Sequence, residues 1–415
     1  MRILSGQKAE TALRKVEQRG AASLATVEIP VRRIVEDVRD EGDRALRRYA
    51  QKWDGLTARQ PIRVPQSELK QAWESTSVEF RKAVRTAADN IKRYCELQRP
   101  REFQDSFQPG IRVGQVVRPL ESAGCYVPGG RYPLPSTMLM TVIPAQVAGV
   151  KQIRVASPRP APATLGTAFF LGVEEFYRVG GAQAIAALAY GTKSIPRVDK
   201  IVGPGNLYVT AAKKIVAFDC AIDFLAGPTE IVVVSHAGEP RFIAADLVAQ
   251  AEHDLDAIPL FITASKQLAE SVKLEVAKAT RENEIAADAV ARNGLILLAA
   301  SREQAMEFAN RIAPEHITVE EEDLPLVQNA GSIFVGDYSP QAGGDYAVGP
   351  NHVLPTGAAA RFRGGLSTAD FLKIISVQQL TKQGVQQLAS AIITLAEAEG
   401  LKAHAESVRV RCAHA

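Results

Sequence analysis

Cysteine is scarce in this 415-residue chain. Cys95, Cys125, Cys220 and Cys412 lie far apart and form no CxxC pair, which excludes a thiolate zinc knuckle and a secreted disulfide scaffold. An excess of one charge is also lacking. A formal net charge of +3 leaves out the strong basic patch that nucleic-acid binding needs. The basic residues between Arg14 and Arg48, and those in Val408-Arg-Val-Arg411, read as solvated helix faces. Long apolar runs are missing too. The least polar stretch, Met138 to Val150, is broken by Thr141, Pro144 and Gln146 and is too short to span a bilayer. The opening Met-Arg-Ile-Leu-Ser-Gly-Gln-Lys has no apolar core of signal-peptide length. A cytoplasmic enzyme with neither nucleic-acid nor membrane partners is the expectation.

What remains is an ordinary globular composition, 46% hydrophobic and 23% charged, on a chain long enough for two or more domains. Residues from about 5 to 95 read as largely helical, with apolar positions at three- and four-residue spacing from Ala22 to Tyr49 and from Val78 to Leu97. From Leu120 the texture changes. Short apolar runs at Glu121–Val127, Lys151–Ala156, Glu175–Val179 and Asp199–Val202 each stop at glycine or proline and lead into a helical stretch. Similar units follow at Glu230–Val234 and Pro259–Ala264, with further strand-like runs at Gly294–Leu298 and Ser332–Gly336. Such alternation implies an α/β fold with parallel sheets covered on both faces. Gln341 to Gly365 reads as a long glycine- and proline-rich loop, a feature usually functional inside a compact protein. The tail from Ala369 reads as helical.

Histidine supplies few candidates, because there are only six. His236 and His414 have uninformative neighbours; His253, His316, His352 and His404 stand near acids or amides. Gln250 and His253 share a helix face at i, i+3, which suits two ligands of a metal site or a polar helix end. With no thiolate cluster, any further ligand is oxygen or imidazole, and Asp345 in the glycine-rich loop is one candidate. Glu315-His316 is an acid beside an imidazole, able to divide two proton transfers; an exposed strand start fits the local pattern equally. Gly180-Gly181 and Gly203-Pro-Gly205-Asn206 end strands and open helices, where dinucleotide phosphates rest on free N–H groups. Neither is a full GxGxxG, and plain strand–helix turns use glycine as often.

Longer motifs narrow the choice. Tyr126-Val-Pro-Gly-Gly-Arg-Tyr-Pro-Leu-Pro-Ser-Thr-Met-Leu-Met closely resembles the signature of the histidinol dehydrogenase family. So do Val179-Gly-Gly-Ala-Gln-Ala-Ile, Val202-Gly-Pro-Gly-Asn, Ala226-Gly-Pro-Thr-Glu, Gln250-Ala-Glu-His-Asp, Ala313-Pro-Glu-His and Gly344-Asp-Tyr-Ala-Val-Gly-Pro-Asn-His-Val-Leu-Pro-Thr. Val38-Arg-Asp-Glu-Gly-Asp-Arg-Ala-Leu fits as well, and the order is kept from Val38 to His404.

The resemblance implies oxidation of L-histidinol through the aldehyde to L-histidine, with two NAD and one water. It implies one zinc ion per subunit on Gln250, His253, Asp345 and His404, the last supplied by a partner, hence a homodimer with shared active sites. Glu315 and His316 fall on the catalytic pair. Thr229, His352 and Glu399 fall on substrate-binding positions, together with Gln250, His253, His316, Asp345 and His404. Tyr126, Gln183 and Asn206 fall where the family contacts NAD. Thr229 stands where many members have serine, and Leu255 replaces a frequent proline. The expected fold is two Rossmann-like parallel-sheet domains plus small helical N- and C-terminal segments. The expected divisions are 1–24; 25–125 with 236–365, carrying the metal and catalytic motifs; 126–235, binding NAD; and 366–415, reaching the partner. A related zinc- and NAD-dependent dehydrogenase of another small alcohol is the alternative; a zinc hydrolase and a non-enzymatic binding protein are the more distant ones.

Overall fold

The computed structural model describes residues 1–19, 24–129 and 133–413. Gly130, Arg131 and Tyr132 of the long signature, and His414, lie outside the described residues. Two parallel sheets form the body. The first has six strands in the order Arg2–Ser5, Leu295–Leu298, Ile258–Thr263, Glu230–Val234, His316–Val319, Ser332–Val335. The second has five, in the order Glu175–Tyr177, Gln152–Ala156, Ser122–Tyr126, Lys200–Val202, Ala221–Ile222. Both inner strands, Glu230–Val234 and Ser122–Tyr126, are buried throughout. Their apolar runs are continuous because helices cover both faces of a parallel sheet.

The two Rossmann-like sheets therefore match the α/β expectation, but the distribution of helices differs from the expected division. Helices Leu24–Glu41 and Asp43–Trp53 share a core with Ala182–Ala189 and Val209–Val216 of the five-stranded unit. Helix Val78–Leu97 packs in a second core with Ala123, Cys125 and Met138–Ile143. Residues 25–97 thus cover the five-stranded sheet rather than joining 236–365. Periodicity identifies an amphipathic helix but not the sheet that its apolar face will meet.

Strands were also missed. Arg2–Ser5 is the edge of the six-stranded sheet, pairing with Leu295–Leu298, and the following helix Gly6–Glu17 buries Ala9 and Leu13 against that sheet. The N-terminal segment is therefore not purely helical. A three-stranded antiparallel sheet joins Phe103–Gln108, Ile111–Pro119 and Leu372–Leu380. The last of these lies in the expected helical tail. Its Lys-Ile-Ile-Ser-Val core is β-branched and suits a strand, although most of its residues remain exposed. Two helices, Lys382–Ala398 and Lys402–Ala413, complete the chain. Among the described residues no helix is long and apolar enough to cross a membrane. Met138 to Val150 forms most of a buried helix, Pro135–Ala148.

One buried ion pair fixes the turn that leaves the five-stranded sheet. Lys213 bonds to Asp223 Oδ1 and, at 2.8 Å, to the carbonyl of Gly203. Asp223 Oδ2 accepts the Gly203 N–H at 2.8 Å. Gly203 sits at φ +115°, and a Cβ there would strike the Tyr126 carbonyl, so only glycine suits this close approach. Replacing Lys213 with methionine strands a carboxylate in the core. The Lys213→Met protein should lose about 3–5 kcal/mol of stability, read from its denaturant midpoint; a loss below about 1 kcal/mol would show instead that water screens the pair.

Candidate functional site

The segment Phe224 to Thr229 carries the chain from the C-terminal end of one sheet to the N-terminal end of the other. A cavity of about 270 Å³ lies along it. From the five-stranded side it is lined by Pro128, Pro204 and Gly205, which follow strands. From the six-stranded side it is lined by Thr229, Glu315 and His316, where strands begin. Gln250, His253, Asp345 and His352 complete it.

Parallel pairing sets the centre. His316 is in register with Ile231, so Glu230 lies beside both Glu315 and His316. The Glu230 N–H donates to Glu315 Oε2 at 2.9 Å, and the Thr229 hydroxyl donates to the same oxygen at 2.6 Å. Gln250 Nε2 in turn donates to Thr229 Oγ1, which leaves the Gln250 amide oxygen for another partner. His316 Nδ1 faces the Glu230 carbonyl at 3.2 Å, which makes it the protonated nitrogen and leaves Nε2 toward the cavity, 3.6 Å from Asp345 Oδ1. His352 Nδ1 donates to the Asp345 carbonyl at 2.7 Å, while its Nε2 accepts from the Thr137 hydroxyl at 3.1 Å. Burial pushes the His352 pKa below the ordinary value, against the pull of the Asp345 charge and carbonyl.

Charge is divided unevenly between the two carboxyls. Burial pushes Glu315 up to about 7, against the opposing pull of His316, Thr229 and the Glu230 N–H. Asp345 suffers the same desolvation, but the hydrogen bond and charge of His316, then the charges of His352 and His253, hold it below the usual carboxylate range. Burial disfavours the His316 imidazolium as well, yet Glu315 and Asp345 outweigh it and raise the pKa to about 9.

A second cavity, about 390 Å³, lies on the other side of the same turns. Pro128 and Gly205 face the first cavity, and their neighbours Gly129 and Asn206 face the second. Tyr126 and Gln183 line it too. Gly181, at φ +63°, donates its N–H to the Tyr126 hydroxyl at 3.2 Å and opens the helix Gly181–Tyr190. Asn206 Oδ1 caps the helix Leu207–Val216 through the N–H groups of Tyr208 and Val209, both at 3.1 Å. A Cβ on Gly129 would meet the Pro158 carbonyl, and one on Gly180 the Pro158 ring, so these turns are held at closest approach. Buried Asp54 had no sequence signal. It accepts the Gly180 N–H at 2.9 Å and the Gln183 amide at 3.0 Å, and thereby fixes the glycine turn from a helix more than a hundred residues earlier.

Seven expected residues, Thr229, Gln250, His253, Glu315, His316, Asp345 and His352, thus line the first cavity. Tyr126, Gln183 and Asn206 line the second. Glu399 and His404 line neither; both are exposed, at the end of helix Lys382–Ala398 and on helix Lys402–Ala413. Asp345 lies on a short helix, Gln341–Tyr346, rather than in a plain loop. Among the described residues no three His, Cys, Asp or Glu side chains gather as a metal cage. Of the expected ligands only His253 and Asp345 have those side chains and line this cavity; Gln250 adds an amide. Cys125 is fully buried, and burial pushes its thiol up to about 12, so it serves as packing.

Two parallel sheets place a glycine-turn cavity beside an acid–imidazole pair, the layout of an α/β enzyme. A family model for histidinol dehydrogenase matches residues 17–412. A curated histidinol dehydrogenase from Methanothermobacter thermautotrophicus is 46% identical over 400 residues, 92% of each chain. One from Bacillus anthracis is 44% identical over 417 residues, 98% of this chain and 97% of the other. The crystal structure of histidinol dehydrogenase from Elizabethkingia anophelis matches with a TM-score of 0.94 at 36% identity, covering 99% and 98% of the two chains. The chain belongs to the histidinol dehydrogenase family.

Burial places the ionisation of Glu315 near neutrality, and a carboxyl acts as a base only once ionised. Turnover should climb as pH rises through about 7, where Glu315 ionises, and again toward about 9, where His316 loses its proton, and Glu315→Gln should remove the lower limb from the pH–rate profile. An unchanged limb in the variant would assign it to another group.

Proposed function

We propose that this protein oxidises L-histidinol through L-histidinaldehyde to L-histidine, a four-electron reaction that consumes two NAD and one water. The observation that carries this reading is one cavity lined by Thr229, Gln250, His253, Glu315, His316, Asp345 and His352, back to back with a glycine-turn cavity. We assign the dinucleotide to the outer cavity, on Tyr126, Gln183 and Asn206, and the substrate to the inner one. A cytoplasmic, biosynthetic role belongs to the same reading.

The donor set suits zinc: an amide oxygen from Gln250, an imidazole from His253 and a carboxylate from Asp345 are the mixed nitrogen and oxygen ligands that this metal accepts. Asp345 stays charged despite its burial, as a ligand must. The fourth donor in this reading is the partner subunit's His404, with Glu399 beside it, because neither residue reaches its own chain's cavity. When bound, zinc supplies a point that orients the nitrogen donors of the substrate, and NAD supplies the hydride acceptor.

The remaining work falls to side chains of this chain. His316 Nε2, once unprotonated, takes the alcohol proton while hydride leaves the carbinol carbon. Ionised Glu315 takes a proton from the water that adds to the aldehyde carbon, while the His316 imidazolium returns its proton to the aldehyde oxygen, which completes the hydrate and frees Nε2. His316 then takes the hydroxyl proton of the hydrate during the second hydride transfer. His352, between the Thr137 hydroxyl and the Asp345 carbonyl, contributes packing and polarity at the substrate. Thr229 keeps the hydroxyl that bonds Glu315, and its methyl group narrows the wall.

Three outcomes check the reading. The enzyme should form two NADH per histidinol consumed, and a chelator should abolish the yield; one NADH per substrate would limit it to an alcohol oxidation. His316→Asn should still bind substrate but turn over about a hundred- to ten-thousand-fold more slowly, and near-normal turnover would remove His316 from the mechanism. Mixing His316→Ala and His404→Ala subunits should restore partial activity, since one site in the mixed dimer keeps both residues. Well-formed mixed dimers without activity would place His404 in its own subunit's site.

A further inference from the structure

Two stretches of chain lead into the acid–imidazole pair, and one guanidinium bonds to both. Arg19 follows the N-terminal helix Gly6–Glu17. Its Nε and Nη2 each donate to one carboxylate oxygen of Glu230, both at 2.5 Å. Nη2 also reaches the Ile312 carbonyl at 2.9 Å, and Nη1 reaches the Val16 carbonyl at 2.7 Å. Ile312 closes a helix just ahead of Ala313, Pro314 and Glu315, and Ala313 turns the chain there at φ +49°. The Glu230 carboxylate takes a further bond, at 2.8 Å, from the N–H of Gly357. Gly357 follows Thr356, whose hydroxyl accepts the Gly227 N–H.

Glu230 is only 2% exposed, and its main chain is what grips the pair: the N–H on Glu315 and the carbonyl on His316. Its side chain lies in the opposite direction, toward Arg19. A two-point guanidinium–carboxylate fork fixes orientation as well as distance, whereas an ammonium fixes distance alone. Arg19 therefore holds the first residue of one strand and the turn into the next, and the carboxylate it orients also takes the N–H of the loop beyond Thr356.

We propose that Arg19 is a positioning residue for the oxidation, setting the aim of Glu315 and His316 through Glu230 and Ile312. The proposal rests on the reading of Glu315 and His316 as the proton-transfer pair. It also gives the N-terminal segment a part in catalysis that no residue of its own could play by contact with substrate.

The test is Arg19→Lys in the full-length, zinc-loaded enzyme, which keeps the charge and loses the fork. Its kcat on histidinol should fall about 10- to 100-fold, the scale on which misplacement of catalytic groups by an ångström acts. KM for histidinol and for NAD should stay within about twofold, because the substrate and dinucleotide contacts are untouched. In a Glu315→Gln, His316→Asn double background the same substitution should cost less than about twofold, since a residue acting through the pair has little left to lose. Glu230→Gln, which keeps the main chain and halves the fork, should show the same pattern and stands in if Arg19→Lys does not fold. A folded Arg19→Lys enzyme with parental kcat overturns the proposal. So does an equal loss in both backgrounds, which would mean that Arg19 acts independently of the pair. Normal turnover by His316→Asn alone would instead remove the reading beneath it.

Discussion

The parallel pairing between the strand that begins at Glu230 and the strand that begins at His316 is the constraint on which the site depends. A parallel ladder fixes which residues stand side by side, and here it sets Ile231 beside His316. Glu230 then stands one residue earlier, at the start of its strand, with its N–H and carbonyl facing the residues that open the neighbouring strand. Glu230 spends its free N–H on Glu315 and its carbonyl on His316. A slip of one residue would turn every side chain to the other face and send His316 into the apolar layer occupied by Ile317.

Burial and neighbouring charge then divide the work among similar groups. Glu315 and Asp345 are both carboxyls in one cavity, yet desolvation dominates for the first and surrounding imidazoles for the second. One titrates near neutrality, where it can exchange protons; the other keeps its charge, where it can hold a cation. The imidazoles part in the same way. His316 faces two carboxylates and is drawn toward its charged form, while for His352 desolvation outweighs the pull of Asp345 and lowers the pKa. Pairs of like groups driven apart by environment are how one site separates proton transfer from binding.

The local chemistry was legible in the sequence, and the long-range partners were not. The apolar period from Val78 to Leu97 gives the helix observed over those residues, and the glycine turns open helices where strand ends were read. The residues gathered from Thr229 to His352 were recognisable only because whole motifs stood beside them. Asp54 stood in no such motif, and Thr137, Thr356 and Glu230 stood inside motifs that gave them no role, because each acts through a hydrogen bond to a group far along the chain. Assignment of helices to sheets failed for a related reason. Leu24–Glu41 and Asp43–Trp53 carry an apolar stripe that suits either sheet, and only the complementary surface at Ala182–Ala189 decides the matter. The strand Leu372–Leu380 lies mostly exposed at a small sheet, so the alternation that marks a half-buried strand was never imposed on it.

The back-to-back cavities bear on how two oxidations can follow one another at one site. The first hydride transfer yields an aldehyde and a reduced dinucleotide, and the second needs a fresh oxidised dinucleotide beside the same carbon. If both molecules shared one pocket, exchanging the dinucleotide would release the aldehyde. Here the walls are the same turns seen from opposite sides, Pro128 and Gly129 in one, Gly205 and Asn206 in the other. Those turns are stiff. Gly203 is locked by Asp223 and Lys213, and Gly180 by Asp54. On the assignment proposed above, a dinucleotide would leave the outer cavity without the inner wall moving, and the aldehyde would stay on the donors that hold it. The rigidity that costs the chain a buried ion pair and a set of irreplaceable glycines is what a two-stage oxidation at one carbon requires.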